Sequence, residues 1–207
     1  MALVQSTSPN CFAGAIEGIP LVKSASGDML TKPFLDVCRI ILPVLDKFGA
    51  AMAMVKSDIG GNITRLETRY KEDPSAFYLL HDIVRREISE KKAKNSNSCA
   101  NGLLWLTRAM DFLVALFGNL LDHVDWTISH AATEAYNVTL KKWHGWIASS
   151  AFTVALKLAP ERTKFMSVLG DGDLDSDIKN FVSAFSPLLQ ENHDFLKSFG
   201  LDDMKAS

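Results

Sequence analysis

A chain of 207 residues fits one ordinary domain, and a domain of that size buries roughly 70% of the surface its unfolded form exposes, enough for a real core. Hydrophobic residues make up 47% and charged residues 22%, with a formal net charge of −2; this excludes the disordered, collagen-like and strongly basic classes and argues against a nucleic-acid partner. The most apolar stretch, Leu103 to Leu121, is broken by Thr107, Arg108, Asp111 and Asn119, so no uninterrupted run of the roughly 18 apolar residues of a membrane span occurs.

Met1 to Ile19 carry neither a basic leader nor a clean apolar stretch before a small-residue cleavage site, so the expected location is the cytosol. Residues 1–27 read as a loosely ordered segment and 28–200 as the core of a single domain spanning 1–207. Cys11, Cys38 and Cys99 are odd in number and lack metal or redox spacing, which predicts free thiols acting as small hydrophobes. The sequons at Asn62 and Asn137 are silent in a cytosolic chain.

Every later element reads as helix. The first runs from Thr31 to Phe48 with a kink at Pro43, and the second from Ala51 to Tyr70. Asp73-Pro74-Ser75 starts a third that runs to Lys92 and stops in the polar run Lys94 to Ser98. A long apolar helix covers Cys99 to Leu121, and another is capped by Thr127 or Ser129. A further helix passes through Lys141 to Leu158, followed by Pro160 to Leu169 and Asp175 to Phe199, with Gly200 as the stop. The acidic run Asp171 to Asp177 invites a calcium loop, but the sixth and twelfth positions hold Ser176 and Val182 instead of Gly and Glu, so it reads as an exposed turn and helix start. About eight helices and no strand alternation make the fold class all-α.

Three helices carry polar groups in apolar faces. At 100° per residue Asp58, Asn62 and Arg65 share one face with Met54, Val55 and Leu66, an arrangement that implies an internal ion-pair network or a polar ligand. Gly60 and Gly61 in mid-helix suggest close approach by another group. Asn101, Trp105, Ala109 and Phe112 share a face with Arg108 at its edge; an indole flanked by amide and carboxylate groups suits a sugar ring, while the alternative is a core tryptophan. His144 lies on a stripe with Leu140, Ala148, Ala151, Ala155 and Leu158, either tight helix packing or an acyl-chain channel with His144 at its mouth. Trp143 and Trp146 point away from that stripe beside Lys141 and Lys142, as in an interfacial membrane patch, the alternative being structural burial of one of the two rings.

Three strings carry a family likeness: Lys56-Ser-Asp58-Ile-Gly-Gly-Asn62-Ile-Thr-Arg65, Leu104-Trp105-Leu106-Thr107-Arg108 and Lys141-Lys-Trp-His144-Gly-Trp146. In order and spacing the chain resembles the glycolipid transfer protein family from about Thr31 to Phe199, and a plant member most of all. The resemblance implies a two-layer helical sandwich enclosing an apolar lipid-chain pocket. It implies a headgroup site of Asp58, Asn62, Arg65, Asn101, Trp105 and His144, a chain pocket with Val44, Leu45, Val55, Phe152 and Ala155, and membrane contact at Trp146, Trp143, Lys141 and Lys142. The implied activity is transfer of a glycosphingolipid between membranes by a monomer that touches them transiently, with no metal or cofactor. Arg65 and Asn101 stand where animal members commonly have Lys and an aliphatic residue; the extra donors point to a single glucose and hence glucosylceramide. Trp105 argues against the sister subgroup that carries ceramide-1-phosphate. A lipid hydrolase built on Asp58 and His144 lacks a nucleophile elbow, and a glycolipid sensor shares the site but not the transfer.

Overall fold

The computed structural model describes residues 10–170 and 172–205. Nine α-helices occur among them: α1 (Ala13–Gly18), α2 (Thr31–Ile41), α3 (Ala53–Glu72), α4 (Leu80–Ser89), α5 (Cys99–Asp122), α6 (Ile128–Val138), α7 (Trp146–Lys157), α8 (Arg162–Leu169) and α9 (Leu174–Ser198). Short 3-10 helices and two isolated β-bridges, but no strand, accompany them among the described residues. The expected two-layer all-helical sandwich is what forms.

The apolar sequence of α5 makes it the central helix, packed against α3, α4, α6 and α9. It is long and apolar enough by composition to cross a bilayer, yet 67% of its most apolar window is buried inside the fold. Its start is fixed twice over. The Ser98 hydroxyl accepts from Asn101 N at 3.0 Å, and the Glu87 carboxylate of α4 accepts from Cys99 N and Ala100 N at 2.7 and 2.8 Å, an anion on the positive end of the helix. At the other end Arg162 donates to the carbonyls of Leu120, His123 and Trp126. These contacts set the height at which Asn101, Trp105 and Arg108 face their neighbours.

Four boundaries differ from expectation, each for a local reason. Pro43 ends α2 instead of kinking it: the chain tightens into a 3-10 helix over Leu42–Phe48, because Pro lacks the N–H that a regular turn needs. Asp73 starts a turn and not a helix, its carboxylate accepting from Ala76 N and Ser75 Oγ, and α4 begins at Leu80. The backbone between is committed elsewhere, as Phe77 and Tyr78 carbonyls accept from Thr31. Lys141 to Gly145 form a turn, so α7 begins only at Trp146. The N-terminal stretch is ordered from Asn10 onward, while residues 1–9 lie outside the described residues. Asn10 Oδ1 accepts from Phe12 N and Ala13 N just before α1, and Phe12 is fully buried with its ring centroid 4.8 Å from that of Phe117.

Thr127 proves to be the cap of α6, and Asp173 caps α9. Asp175 and Asp177 occupy the first turn of α9, so this part of the acidic run serves a helix start; Asp171 lies outside the described residues. Gly200 ends α9 in the left-handed conformation (φ 63°), with Leu201 N donating to Leu196 O and Gly200 N to Lys197 O. This turn reverses the chain and returns residues 201–205 to α5.

Candidate functional site

α3 and α5 lie side by side, and the turn before α7 brings His144 to the cavity they share. Between them is a polar cavity of about 660 Å³ lined by Asp58, Asn62 and Arg65 of α3, Asn101 and Trp105 of α5, and His144 of the turn, together with Lys94, Ser96, Ala148, Met204 and Lys205. All six residues expected at the headgroup site therefore meet in one cavity. A second, mainly apolar cavity of about 400 Å³ adjoins it, walled by Met54, Val55, Ile59, Ala109, Phe112 and the α7 residues Ala151, Phe152 and Ala155. Asp58, Trp105, His144 and Ala148 border both.

The α3 trio does not form an internal ion-pair network. Asp58 is exposed, Arg65 half-buried and Asn62 buried, and none of the ion pairs among the described residues joins Asp58 to Arg65. The close approach expected at Gly60 and Gly61 is also absent: a Cβ on Gly60 would meet only Leu42 at 3.6 Å, and one on Gly61 nothing within 4 Å. Close approach occurs at Gly102, where a Cβ would sit 3.3 Å from Arg65 Cδ. Arg65 Nη1 donates to Ser98 O at 3.1 Å and Asn101 Nδ2 to Ser96 O at 2.8 Å. Each residue thus uses one donor to hold the 96–98 loop that forms one wall.

His144 sits in the turn, not on a helical stripe, yet Leu140, Ala148, Ala151 and Ala155 still line the apolar cavity beside it. Leu158 does not join them and is exposed. The imidazole ring lies 5.6 Å from the Trp105 ring and nearly parallel to it, at 23°. Its Nδ1 is 3.1 Å from the Tyr136 hydroxyl, which also donates to Ser149 Oγ at 3.0 Å. Tyr136 is itself buried and stacked on Phe152, with ring centroids 4.4 Å apart. Burial holds the pKa of His144 below its ordinary value; the Asp58 carboxylate opposes this and Arg108 reinforces it, so the ring is neutral at pH 7.

Arg108, 1% exposed, lies with its guanidinium 3.7 Å from the Trp143 ring centroid and 5.0 Å from that of Trp105. Trp143 is therefore half-buried against Arg108, whereas Trp146, at the start of α7, is 80% exposed. The shared face expected for the two tryptophans fails to form because the helix does not extend through Gly145. Lys142 Nζ lies 4.5 Å from the Trp143 ring centroid, and Lys141 donates to Asn137 Oδ1 at 3.0 Å. Val55, Phe152 and Ala155 line the apolar cavity as expected; Val44 and Leu45 are fully packed in the core and do not reach it.

A sequence model of the family described as glycolipid transfer protein (GLTP) matches residues 29–171. The chain belongs to this family. Glycolipid transfer protein 1 of Arabidopsis thaliana is 60% identical over 197 residues, covering 95% of this chain and 98% of that protein. Glycolipid transfer protein 3 of the same plant is 41% identical over 180 residues, covering 84% and 77%. Among solved structures, one that addresses how FAPP2 selects simple glycosphingolipids using the GLTP fold superposes with a TM-score of 0.87 at 26% identity, covering 96% of this chain and all of that one. Human ceramide-1-phosphate transfer protein, in complex with 12:0 ceramide-1-phosphate, superposes at 0.82 with 18% identity over 94% and 99% of the two chains, a likeness of fold alone.

The glycolipid transfer protein motifs pointed to six cavity residues and left others unseen. Tyr136 lies eight residues before His144, and only the turn at 139–144 brings its hydroxyl to the imidazole. Lys94, Ser96, Met204 and Lys205 reach the cavity from a loop and from the C-terminal segment, where no periodicity marks a direction. Their polar or flexible character was the only signal available.

Proposed function

We propose that the protein takes a glycosphingolipid, glucosylceramide foremost, out of one membrane and delivers it to another without altering it. The observation that supports this is the shared border of the two cavities: the same four residues, Asp58, Trp105, His144 and Ala148, line a polar chamber and an apolar one. A molecule with a sugar at one end and hydrocarbon at the other suits that pairing. In this reading Trp105 stacks on the apolar face of the sugar, and Asn62, Arg65 and Asn101 take its hydroxyls. Asp58 and His144, at the junction, hold the ceramide amide, while the chains lie against Val55, Phe152 and Ala155.

Arg65 and Asn101 each spend a donor on the 96–98 loop and keep further N–H groups for a sugar. A fixed wall with fixed donors favours one small sugar. The surface for membrane contact is Trp146 together with Met54, which is exposed and also lines the apolar cavity. A monomer working in the cytosol and touching membranes briefly accounts for these features. Catalysis has little support: His144 is neutral and bonded to a buried tyrosine, with no activated nucleophile beside it among the described residues.

Vesicle-to-vesicle transfer of labelled glucosyl-, galactosyl- and lactosylceramide and ceramide-1-phosphate tests the reading. Fast movement of glucosylceramide, abolished by Trp105→Ala and Asp58→Val, is the expected result. Equal transfer of all three sugars defeats the glucose preference. Arg65, Lys94 and Lys205 bring three cations to the cavity, so faster ceramide-1-phosphate transfer would make that lipid the cargo instead. Release of free sugar or ceramide would reveal an enzyme, and tight binding without transfer a sensor.

A further inference from the structure

The segment after Gly200 is fastened at two points that headgroup binding does not itself require. The Asp202 carboxylate lies 2.6 Å from His193 Nδ1, and the other ring nitrogen, Nε2, lies 2.6 Å from Asp111 on α5. An imidazole set between two carboxylates satisfies both only by donating from both nitrogens, that is, as the imidazolium. Burial opposes that charge, but the hydrogen bonds and charges of Asp111 and Asp202 outweigh it and carry the pKa of His193 up to about 9.

The second fastening is Arg108, three residues before Asp111 on α5. Its guanidinium donates to the backbone carbonyls of Asp202 and Met204, the latter at 2.7 Å, while lying against Trp143 and near Trp105. The buried Nε has no partner among the described residues, so the two carbonyls and the stacked rings fix the position of the group. Met204 and Lys205 then line the polar cavity with Trp105. One five-residue segment therefore joins an ionic cluster on the far side of Arg108 to the wall of the candidate headgroup site.

A staple between α5 and α9 alone would need only Asp111. The bond to Asp202 instead ties α9 to the C-terminal segment. The other charged groups at this cluster are Arg108 from α5, Asp194 and Lys197 from α9, Lys142 from the turn before α7, and Asp203 from the segment itself. None of them hydrogen-bonds to both His193 and the segment among the described residues.

We propose that His193 is a positioning residue for headgroup recognition: by bridging Asp111 and Asp202 it holds residues 201–205 on Arg108, which keeps Met204 and Lys205 in the cavity wall and Trp105 in its plane. What the cavity holds rests on the function proposed above; the latch itself does not.

The test uses the full chain, as wild type, His193→Leu, Asp202→Asn and the double variant. Hydrogen exchange at residues 199–205 is measured without ligand, and glucosylceramide affinity by tryptophan emission. Asp202→Asn keeps the carbonyls that Arg108 uses and removes only the charge. Exchange in the segment is expected to rise about tenfold in each single variant, with affinity falling about threefold to tenfold, and the double variant no worse than either. Exchange within α5 should stay unchanged. Asp202→Glu, which restores the carboxylate, should recover both protection and affinity; this decides the matter even if His193→Leu is globally destabilised. Unchanged exchange in the segment overturns the latch, and a loosened segment with wild-type affinity overturns the positioning role. If wild type takes up no glycolipid, the proposed cargo fails, while the exchange result still decides whether His193 holds the segment.

Discussion

Tyr136→Phe removes one oxygen from the site and leaves the ring that packs on Phe152. The lost hydroxyl stands 3.1 Å from His144 Nδ1 and donates to Ser149 Oγ at 3.0 Å. A neutral hydrogen bond contributes about 1 kcal/mol net, and because His144 and Ser149 are half-buried, water replaces part of both bonds. Stability should therefore fall by about 1 kcal/mol, or about 2–4 °C in Tm for a domain of this size. Binding is affected separately, since an imidazole no longer held by Tyr136 must be ordered by the ligand. Immobilising one side chain costs about 0.5–1.5 kcal/mol, so glucosylceramide affinity should drop about threefold to tenfold. Calorimetry gives the first quantity and equilibrium binding followed by tryptophan emission the second. Lower Tm with unchanged affinity would make Tyr136 an ordinary core residue and refute the reasoning. A loss of about a hundredfold or more would mean that Tyr136 contacts the lipid directly, which also refutes it.

Trp146→Ala should slow vesicle transfer while leaving binding of a soluble short-chain glycolipid intact; loss of that binding would place Trp146 in the site instead. Arg65→Lys combined with Asn101→Leu should raise galactosyl- and lactosylceramide transfer relative to glucosylceramide, as read in the same transfer panel. His193, raised from 6.5 to about 9 in the fold, contributes stability that is full below pH 6.5 and lost as pH climbs through about 9, about 3 kcal/mol in all as an order of magnitude. Urea titrations should show that decline in wild type and a flat profile from pH 6.5 to 9 in His193→Leu; above pH 9 the thiols of half-buried Cys11 and buried Cys99, pushed up to about 11 and 12, add a loss of the same sign. Gly102→Ala should push Arg65 aside by a few tenths of an ångström and weaken the glucose preference, with little change in Tm because better helix propensity offsets the crowding.

The helices were legible wherever a strong period and a local stop coincided. Cys99 to Leu121 against Cys99–Asp122 differs by one residue, since Ser98 caps its start in sequence as in space. Boundaries failed where backbone groups bonded at long range. Leu79 looked like the middle of a helix, but it pairs with Leu30 across the fold, and Asp73 spends its cap on a turn that no periodicity announces. Phe12 was overlooked because a short helix of six residues has too little pattern to stand out, although its ring is among the most deeply packed in the core.

The site divides along the same physical line. Asp58, Asn62 and Arg65 are one helical face, and so are Asn101 and Trp105, so spacing alone could group each set; meeting in one cavity needed only that α3 and α5 be neighbours. His144 was assigned to the site by the family resemblance, and the helical stripe drawn through it does not form. It lies in a turn and borders the apolar cavity directly, its imidazole held by Tyr136, while Ala148, Ala151 and Ala155 line the same cavity from the separate helix α7. Trp143 shows the converse, because a helical wheel drawn through Gly145 put it beside Trp146 at the surface, whereas the break at Gly145 turns it onto Arg108. Arg108 was seen only as an edge residue of the tryptophan face. Its partners are backbone carbonyls of Asp202 and Met204, which any residue type could supply, and a backbone acceptor leaves no mark in a sequence. The part of the site built from side chains on helices could therefore be read, and the part that holds those side chains in place could not.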